Sequence, residues 1–293
     1  MIFLKRLLVV GQGPAGISAA IYARRGGAAV TVLGKGTGAL AKAELIENYY
    51  GFDEPLSGEE LARRGIEGAK RLGVEFVTGE LVGLRFKDAM DGFVAEVPGG
   101  TIEAEAVVLA MGTSRLAPPI PGLKEFEGRG VSYCAICDAF FYRGKEAAVL
   151  GAGDYALAEA QALLPHAAKV HLLTNGEKAP ENLPEGLVLH TEKVKSVEGA
   201  ERVERVVFEG GGTLSVSGFF VAFGTAGSTA IAKKIGILLE GVYLKVDASM
   251  ATNVPGVFAA GDATGGLLQV AKAVHEGATA GLSALKFLRG KKA

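Results

Sequence analysis

A strand, a glycine turn and a helix, written twice in one chain, constrain this sequence more than any other feature. Leu7 to Val10 is a continuous apolar run that ends at Gly11-Gln12-Gly13-Pro14-Ala15-Gly16. Ile17 to Arg25 then carries apolar residues at helical spacing, and Ala29 to Leu33 reads as a second buried strand. The order starts again with the strand Ala147 to Leu150, the turn Gly151-Ala152-Gly153-Asp154-Tyr155-Ala156, the helix Leu157 to Leu164 and the strand Lys169 to Leu173. Short apolar strands alternating with helices predict an α/β fold with parallel sheets. The duplication predicts two dinucleotide-type sites, or one working site and one relic.

The two turns differ in quality. In the first, Gly11 allows the tight turn, Gly13 lets backbone approach a pyrophosphate, and Gly16 allows close packing of helix on strand. The helix N-terminus then faces the phosphate charge. An acidic residue is expected about 20 residues on, to hold a ribose. Here that stretch reads Leu33-Gly34-Lys35-Gly36, so backbone groups or Lys35 are left to hold the adenosine half. In the second turn Gly151 and Gly153 are in place, the third position is Ala156, and Tyr155 brings a ring where a small residue is normal. The strand that follows ends Leu173-Thr174-Asn175-Gly176-Glu177-Lys178, with no arginine to pair with a 2′-phosphate.

Between the two units, Ala117-Pro118-Pro119-Ile120-Pro121-Gly122 can continue neither a helix nor a central strand, and it reads as a domain boundary. It follows the strand Val107 to Ala110, which ends at Met111-Gly112. Late in the chain Gly256-Val257-Phe258-Ala259-Ala260 leads to Gly261-Asp262, and Leu268 to Leu288 reads as a helix whose packing partner the pattern does not give. Glycine, at 43 of 293 residues, clusters at the ends of β-branched runs, as strands ending beneath phosphates require.

Composition narrows the class. With 49% apolar and 22% charged residues a sizeable core is expected, and a net charge of −1 spread along the chain argues against nucleic acid or an anionic membrane as partner. The run from Met1 to Val10 is cut short by Gly11 and reads as a buried strand, not a signal peptide. No apolar stretch approaches the ~20 residues that span a bilayer, so a cytoplasmic protein is expected.

The two cysteines form Cys134-Ala135-Ile136-Cys137. A zinc site needs two more ligands, and none of His166, His171, His190 and His275 lies at paired spacing, so no metal is expected. A CxxC at a helix start holds two sulfurs close enough to bridge, and helix-end N–H groups lower a thiol pKa below ~8.5. Asp138 follows directly and is placed to exchange a proton with a thiolate, with helix capping as its alternative role.

Together these residues resemble the low-molecular-weight thioredoxin reductases, the class II FAD-dependent pyridine nucleotide-disulfide oxidoreductases, over almost the whole chain. Gly11-Gln12-Gly13-Pro14-Ala15-Gly16 looks like the family's FAD pyrophosphate turn, and Glu47-Asn48-Tyr49-Tyr50-Gly51-Phe52 resembles its segment near the flavin. Cys134 to Tyr142 looks like the redox motif, lying just before the second glycine turn. Gly261-Asp262 and Gln269-Val270 resemble the second FAD segment, and Gly112 matches the glycine ending the returning strand.

The resemblance implies two Rossmann-like domains of three-layer β/β/α type. The FAD domain would be discontinuous, residues 1–116 and 241–293, around an NAD(P)H-like domain, 117–240, that carries the CxxC. Rotation would be hinged near Pro118–Pro121 and Leu239–Gly241. The resemblance further implies that Cys137 lies nearest the flavin, that Cys134 attacks the disulfide of a thioredoxin-like protein, that Asp138 is acid and base, and that the chain forms a homodimer. Tyr49 and Tyr50 are candidates for lining a pocket, with core packing as the alternative. His275 and Glu276 are candidates for facing the flavin, with a solvated or dimer-facing place as the alternative.

The departures point to a changed electron donor. The family's arginine segment for NADPH is Thr174, Asn175 and Gly176 here, its arginine before the FAD glutamine is Leu268, and the stretch from Glu177 to Leu189 is short enough to lack a helix. Relatives of that kind take electrons from ferredoxin or a reduced deazaflavin. NADH or NADPH held by atypical contacts through Asn175 or Glu177 is the alternative within enzymes. A flavin-bound thiol sensor without turnover is the alternative of another class.

Overall fold

The structure, a computed structural model, describes residues 5–88, 91–112, 118–133, 135–223 and 228–290. Two compact units emerge: Met1–Ser114 with Gly227–Ala293, and Arg115–Ala226.

In the first unit β1 (Arg6–Val10), α1 (Pro14–Arg25) and β2 (Ala29–Gly34) form around the first glycine turn. The helix starts at Pro14, three residues ahead of the apolar spacing, because proline is pre-set for the first helical position. Next come α2 (Gly58–Arg71) and β3 (Glu75–Thr78). Ser57 caps α2 by accepting the Glu60 N–H, with Glu59 and Glu60 in the first turn and Lys70 and Arg71 in the last, charges that suit the two helix ends. An antiparallel meander of β4 (Gly83–Phe86), β5 (Phe93–Val97) and β6 (Gly100–Ala104) precedes the return strand β7 (Ala106–Leu109).

The second unit repeats this order. After β8 (Val131–Ser132) and α3 (Ala135–Asp138) come β9 (Glu146–Leu150), α4 (Asp154–Leu163), β10 (Lys169–Leu173) and β11 (Leu187–His190). Its meander is β12 (Val194–Glu198), β13 (Arg205–Phe208) and β14 (Thr213–Ser215), and its return strand is β15 (Gly218–Val221). No helix separates β10 from β11, so α2 has no counterpart, as the short stretch after Glu177 predicts. The chain then completes the first unit with α5 (Ser228–Ile235), β16 (Leu239–Glu240), β17 (Tyr243–Leu244), β18 (Val257–Ala259) and α6 (Val270–Gly290).

Each unit has a five-stranded parallel sheet, in the order β18-β7-β1-β2-β3 in the first and β11-β10-β9-β15-β8 in the second. Val9 pairs with Val32 and Val108, and Val149 with Leu172 and Phe220. These residues are buried, as expected of strands covered on both faces. Two Rossmann-like α/β units result, alike in the order of four strands and different in the fifth, which is the last strand of the first sheet (β18) and the first of the second (β8).

One expectation is corrected. The sequence reading returned the chain to the first domain at Gly241, with a hinge near Leu239–Gly241. Residues 228–240 instead pack within the first unit: Ser228 Oγ donates to the Gly112 carbonyl and Lys234 Nζ to that of Val82, and Leu239–Glu240 pairs as a hairpin with β17. A short amphipathic helix carries no sign of which sheet it will cover, so sequence could not place it. No helix among the described residues is long and apolar enough to cross a membrane.

The partner of the last helix is α1. A Cβ on Gly277 would lie 2.1 Å from the Ala15 carbonyl oxygen, and one on Gly281 would lie 2.4 Å from that of Ala19. The two backbones therefore touch, and Ser18 Oγ donates to the Val274 carbonyl at 2.7 Å. Gly281→Val should lower stability by about 1–3 kcal/mol or more through overpacking. Gly68→Ala, in α2 with open space around it, should raise stability by roughly 0.5–1 kcal/mol. Urea denaturation of the two variants checks both signs.

Candidate functional site

The first glycine turn is shaped by backbone crowding. Gly11 adopts φ +110°, and a Cβ there would lie 2.2 Å from the Ala110 carbonyl oxygen, at the end of β7. Gly16 brings α1 down on the turn, since its Cβ would sit 1.9 Å from the Gly11 carbonyl oxygen. Gly13 is the opposite case. It is the N-cap of α1 with no side-chain cap, and a Cβ on it would meet nothing within 4 Å. Pro14 has no N–H to satisfy and no acidic residue lies in the first turn, so the helix start offers N–H donors and positive potential to an anion.

A cleft of about 440 Å³ opens over this turn. Of the residues singled out for FAD, Gly11, Gln12, Gly13, Pro14, Ala15, Asn48, Gly112, Gly261, Asp262, Gln269 and Val270 line it. Asn48 Nδ2 donates to Gln269 Oε1 at 3.1 Å, joining the two sequence-distant walls. Gly16 lies behind the turn. Lys35 is not in the lining, and its ammonium pairs with buried Glu80 at 3.6 Å. Sequence reasoning missed Gly36 to Leu40, which form part of the wall as the end of a bend and the start of the short 3-10 helix Gly38–Lys42, without a recognisable motif. Tyr49 lines a separate apolar cavity of about 260 Å³ and tilts against Phe52, whereas Tyr50 is wholly exposed.

The second turn has the same backbone but different chemistry. Gly151 takes φ +147° against the Ala222 carbonyl, and Gly153 is again an N-cap without a side-chain cap. Asp154 then places a carboxylate in the first turn of α4, where α1 has Pro14. Tyr155 is buried and its hydroxyl donates to the Tyr133 carbonyl at 3.3 Å, while Ala156 packs under Gly151. At the end of β10, Asn175 Oδ1 accepts the Val194 N–H at 2.8 Å, and the nearby Lys178 pairs with exposed Glu181.

Cys134 lies outside the described residues, as does the side chain of Cys137, whose backbone belongs to α3. Asp138 ends that helix. Its Oδ2 accepts the Ser132 hydroxyl at 2.6 Å, and its carboxyl group borders a cavity of about 430 Å³ with Tyr142, Arg129, Lys145 and Arg202. Burial first, and then the Asp138 charge, push the Tyr142 phenol up.

Comparison with known proteins decides the family. Residues 5–277 match the family described as pyridine nucleotide-disulphide oxidoreductase. The chain belongs to that family. It is 35% identical to a thioredoxin reductase of Aquifex aeolicus (strain VF5), covering 98% of this chain and 94% of that one. Among solved structures, the atypical thioredoxin reductase TRi from Desulfovibrio vulgaris Hildenborough superposes with a TM-score of 0.93 at 38% identity, over 98% of this chain and 99% of that one. A ferredoxin-flavin thioredoxin reductase from Clostridium acetobutylicum gives a TM-score of 0.75 at 31% identity, over 98% and 100%. The chain is thus a flavoprotein disulfide reductase of the thioredoxin reductase type, and reductases of this type bind FAD.

In this family member the Gly261–Thr264 turn, which carries Asp262, is braced by an ion pair that the sequence reading did not find. Lys272 Nζ donates to the Gly261 carbonyl at 2.8 Å and to the Gly265 carbonyl, and lies 3.0 Å from Thr264 Oγ1. It also lies 3.0 Å from Glu276 Oε2, which accepts the Gly261 N–H at 2.9 Å. Glu276 therefore grips the turn, and His275 is exposed. The i, i+4 spacing of Lys272 and Glu276 was visible, but the loop between them was not. Lys272→Met should cost about 1–3 kcal/mol by leaving a largely buried carboxylate without its cation. In a double-mutant cycle with Glu276→Leu, the coupling should exceed about 0.5 kcal/mol in urea denaturation.

Proposed function

We propose that this chain reduces the disulfide of a thioredoxin-like protein through Cys134 and Cys137, with FAD as the bound two-electron carrier and an electron donor other than NADPH. The first unit is the FAD domain and the second the redox domain. The cleft over the first turn supports FAD because its chemistry suits a dinucleotide: Gly13 is open where a pyrophosphate would approach, α1 presents uncapped N–H groups, and Asp262 stands opposite on the braced turn.

On the substrate side, the Cys134 thiolate attacks one sulfur of the substrate disulfide, forming a mixed disulfide and releasing the other sulfur as a thiolate that takes up a proton. Cys137 then attacks Cys134, restoring the Cys134–Cys137 disulfide and freeing the reduced substrate. Asp138 gives and takes the protons at sulfur. Two electrons and two protons leave the pair in each turn. Bound FAD, once reduced by the donor, would supply the two electrons that with two protons return the pair to the dithiol.

The observation that carries the changed donor is the second glycine turn. Asp154 opposes an anionic phosphate at the N-terminus of α4, Tyr155 fills the turn, and Asn175 is committed to its own loop. The likeness to the Clostridium ferredoxin-flavin reductase supports ferredoxin as the donor. An anaerobic titration of the oxidised holoprotein decides the point. Reduced ferredoxin should bleach the flavin band, with NADPH and NADH inert at micromolar concentration. Rapid bleaching by either nucleotide overturns the changed donor.

Gly13→Ala tests the cradle itself. Its backbone angles suit alanine and the site is open, so the variant should fold with wild-type stability and purify with at least tenfold weaker flavin retention. Full flavin content would place the cofactor elsewhere.

A further inference from the structure

In a nucleotide-binding unit, the helix after the glycine turn has its N-terminus committed to phosphate. In the second unit of this chain, α4 has been turned to another task. Tyr155 and Glu159, one helical turn apart, lie on one face of α4. Both are buried, each with 2% of its surface exposed. The Tyr155 hydroxyl donates to the Tyr133 carbonyl at 3.3 Å, and the Glu159 carboxylate accepts the Ala135 N–H at 2.5 Å. Tyr133 and Ala135 are the two chain neighbours of Cys134. The main chain on both sides of the first cysteine is thus held by two side chains of one rigid helix.

A buried carboxylate is costly without partners, and a peptide N–H beside the redox pair is among the partners of this one. We propose that Tyr155 and Glu159 are positioning residues that fix the main chain around Cys134, and that the charge of Glu159 keeps the Cys134/Cys137 couple strongly reducing. The inference rests on the assignment of these two cysteines as the redox pair. Its electrostatic part follows from like charges. A carboxylate one peptide away disfavours a thiolate. Reduction of the pair takes two electrons and two protons from disulfide to dithiol, the dithiol ionises in part to a thiolate, and whatever disfavours that thiolate removes stabilisation from the reduced side. A couple whose reduced form is less stabilised is the stronger reductant. Tyr155 acts by geometry, holding the carbonyl that precedes the nucleophile.

Glu159→Gln separates charge from shape, because glutamine keeps an acceptor at the same reach. Two readouts are needed: the dithiol–disulfide equilibrium of the pair against a thiol redox buffer, and the pH dependence of Cys134 alkylation in the reduced holoprotein. Glu159→Gln should shift the equilibrium three- to tenfold towards the dithiol, about 15–30 mV, and move the alkylation midpoint to lower pH. A wild-type equilibrium and alkylation profile in this variant overturns the electrostatic part, because a merely structural role would be rescued by glutamine.

Tyr155→Phe should lower kcat for the protein disulfide three- to tenfold, with the equilibrium of the pair unchanged. Wild-type kcat there overturns the clamp. Should Glu159→Gln fail to fold, Glu159→Asp, which keeps the charge and shortens the reach, stands in. It should lower kcat as Tyr155→Phe does, and wild-type kcat there counts against Glu159. Cys134→Ser is the reference. If it still turns over the protein disulfide, the assignment of the pair fails. If it is dead while Glu159→Gln and Tyr155→Phe behave as wild type, only the present inference fails.

Discussion

The ends of β1 and β7 approach so closely that position 11 has no room for a side chain, and the first unit is organised around that contact. With Gly11 pressed on the Ala110 carbonyl, the chain must turn at once, and Gly16 lets α1 settle on the turn. The direction of α1 is then set, and α6 follows it through Gly277 and Gly281. The cleft inherits its walls from this sequence of close contacts. Its floor is the turn, one side is the loop after β2, and the other is the Gly261–Thr264 turn held from α6. Glycine costs backbone entropy wherever it is used, and here the return is two helices and a strand end within backbone contact.

The same architecture occurs twice, and the copies have diverged in what their first helices hold. In α1 the N-terminus is left open by Gly13 and Pro14. In α4 it carries the Asp154 charge, and one face is engaged by the segment that bears the cysteines. The second unit also passes from β10 to β11 without a helix, where α2 joins β2 to β3 in the first.

Much of this was legible in the sequence. The glycine turns, the strands β1, β2, β9 and β10 and the absence of a helix after β10 follow from apolar runs and local turn chemistry, which act over a few residues. Most of the lining of the cleft over the first turn was also legible, because Gly11 to Ala15, Asn48, Asp262 and Gln269 sit in recognisable motifs. What escaped was tertiary. Tyr155 stood out by its bulk, but its acceptor on Tyr133 did not, and Glu159 looked like any acid on a helix. Lys272 carried no signal of its own, and Glu276 was a candidate for facing the flavin or solvent, although the two close around a turn. Residues 228–240 were placed with the wrong unit, since their short helix fits either sheet by pattern.

The interleaving of the units has a consequence for the order of synthesis. All five strands of the second sheet lie between Val131 and Val221, so that unit is complete in one uninterrupted stretch of chain. The first sheet gains its edge strand β18, and α1 gains its cover α6, only after the second unit has been made. At translation rates of roughly 5–20 residues per second, the small-residue face of α1 stays uncovered on the ribosome for on the order of ten seconds or longer. During that interval, and not in the finished fold, this apolar face is open to other chains.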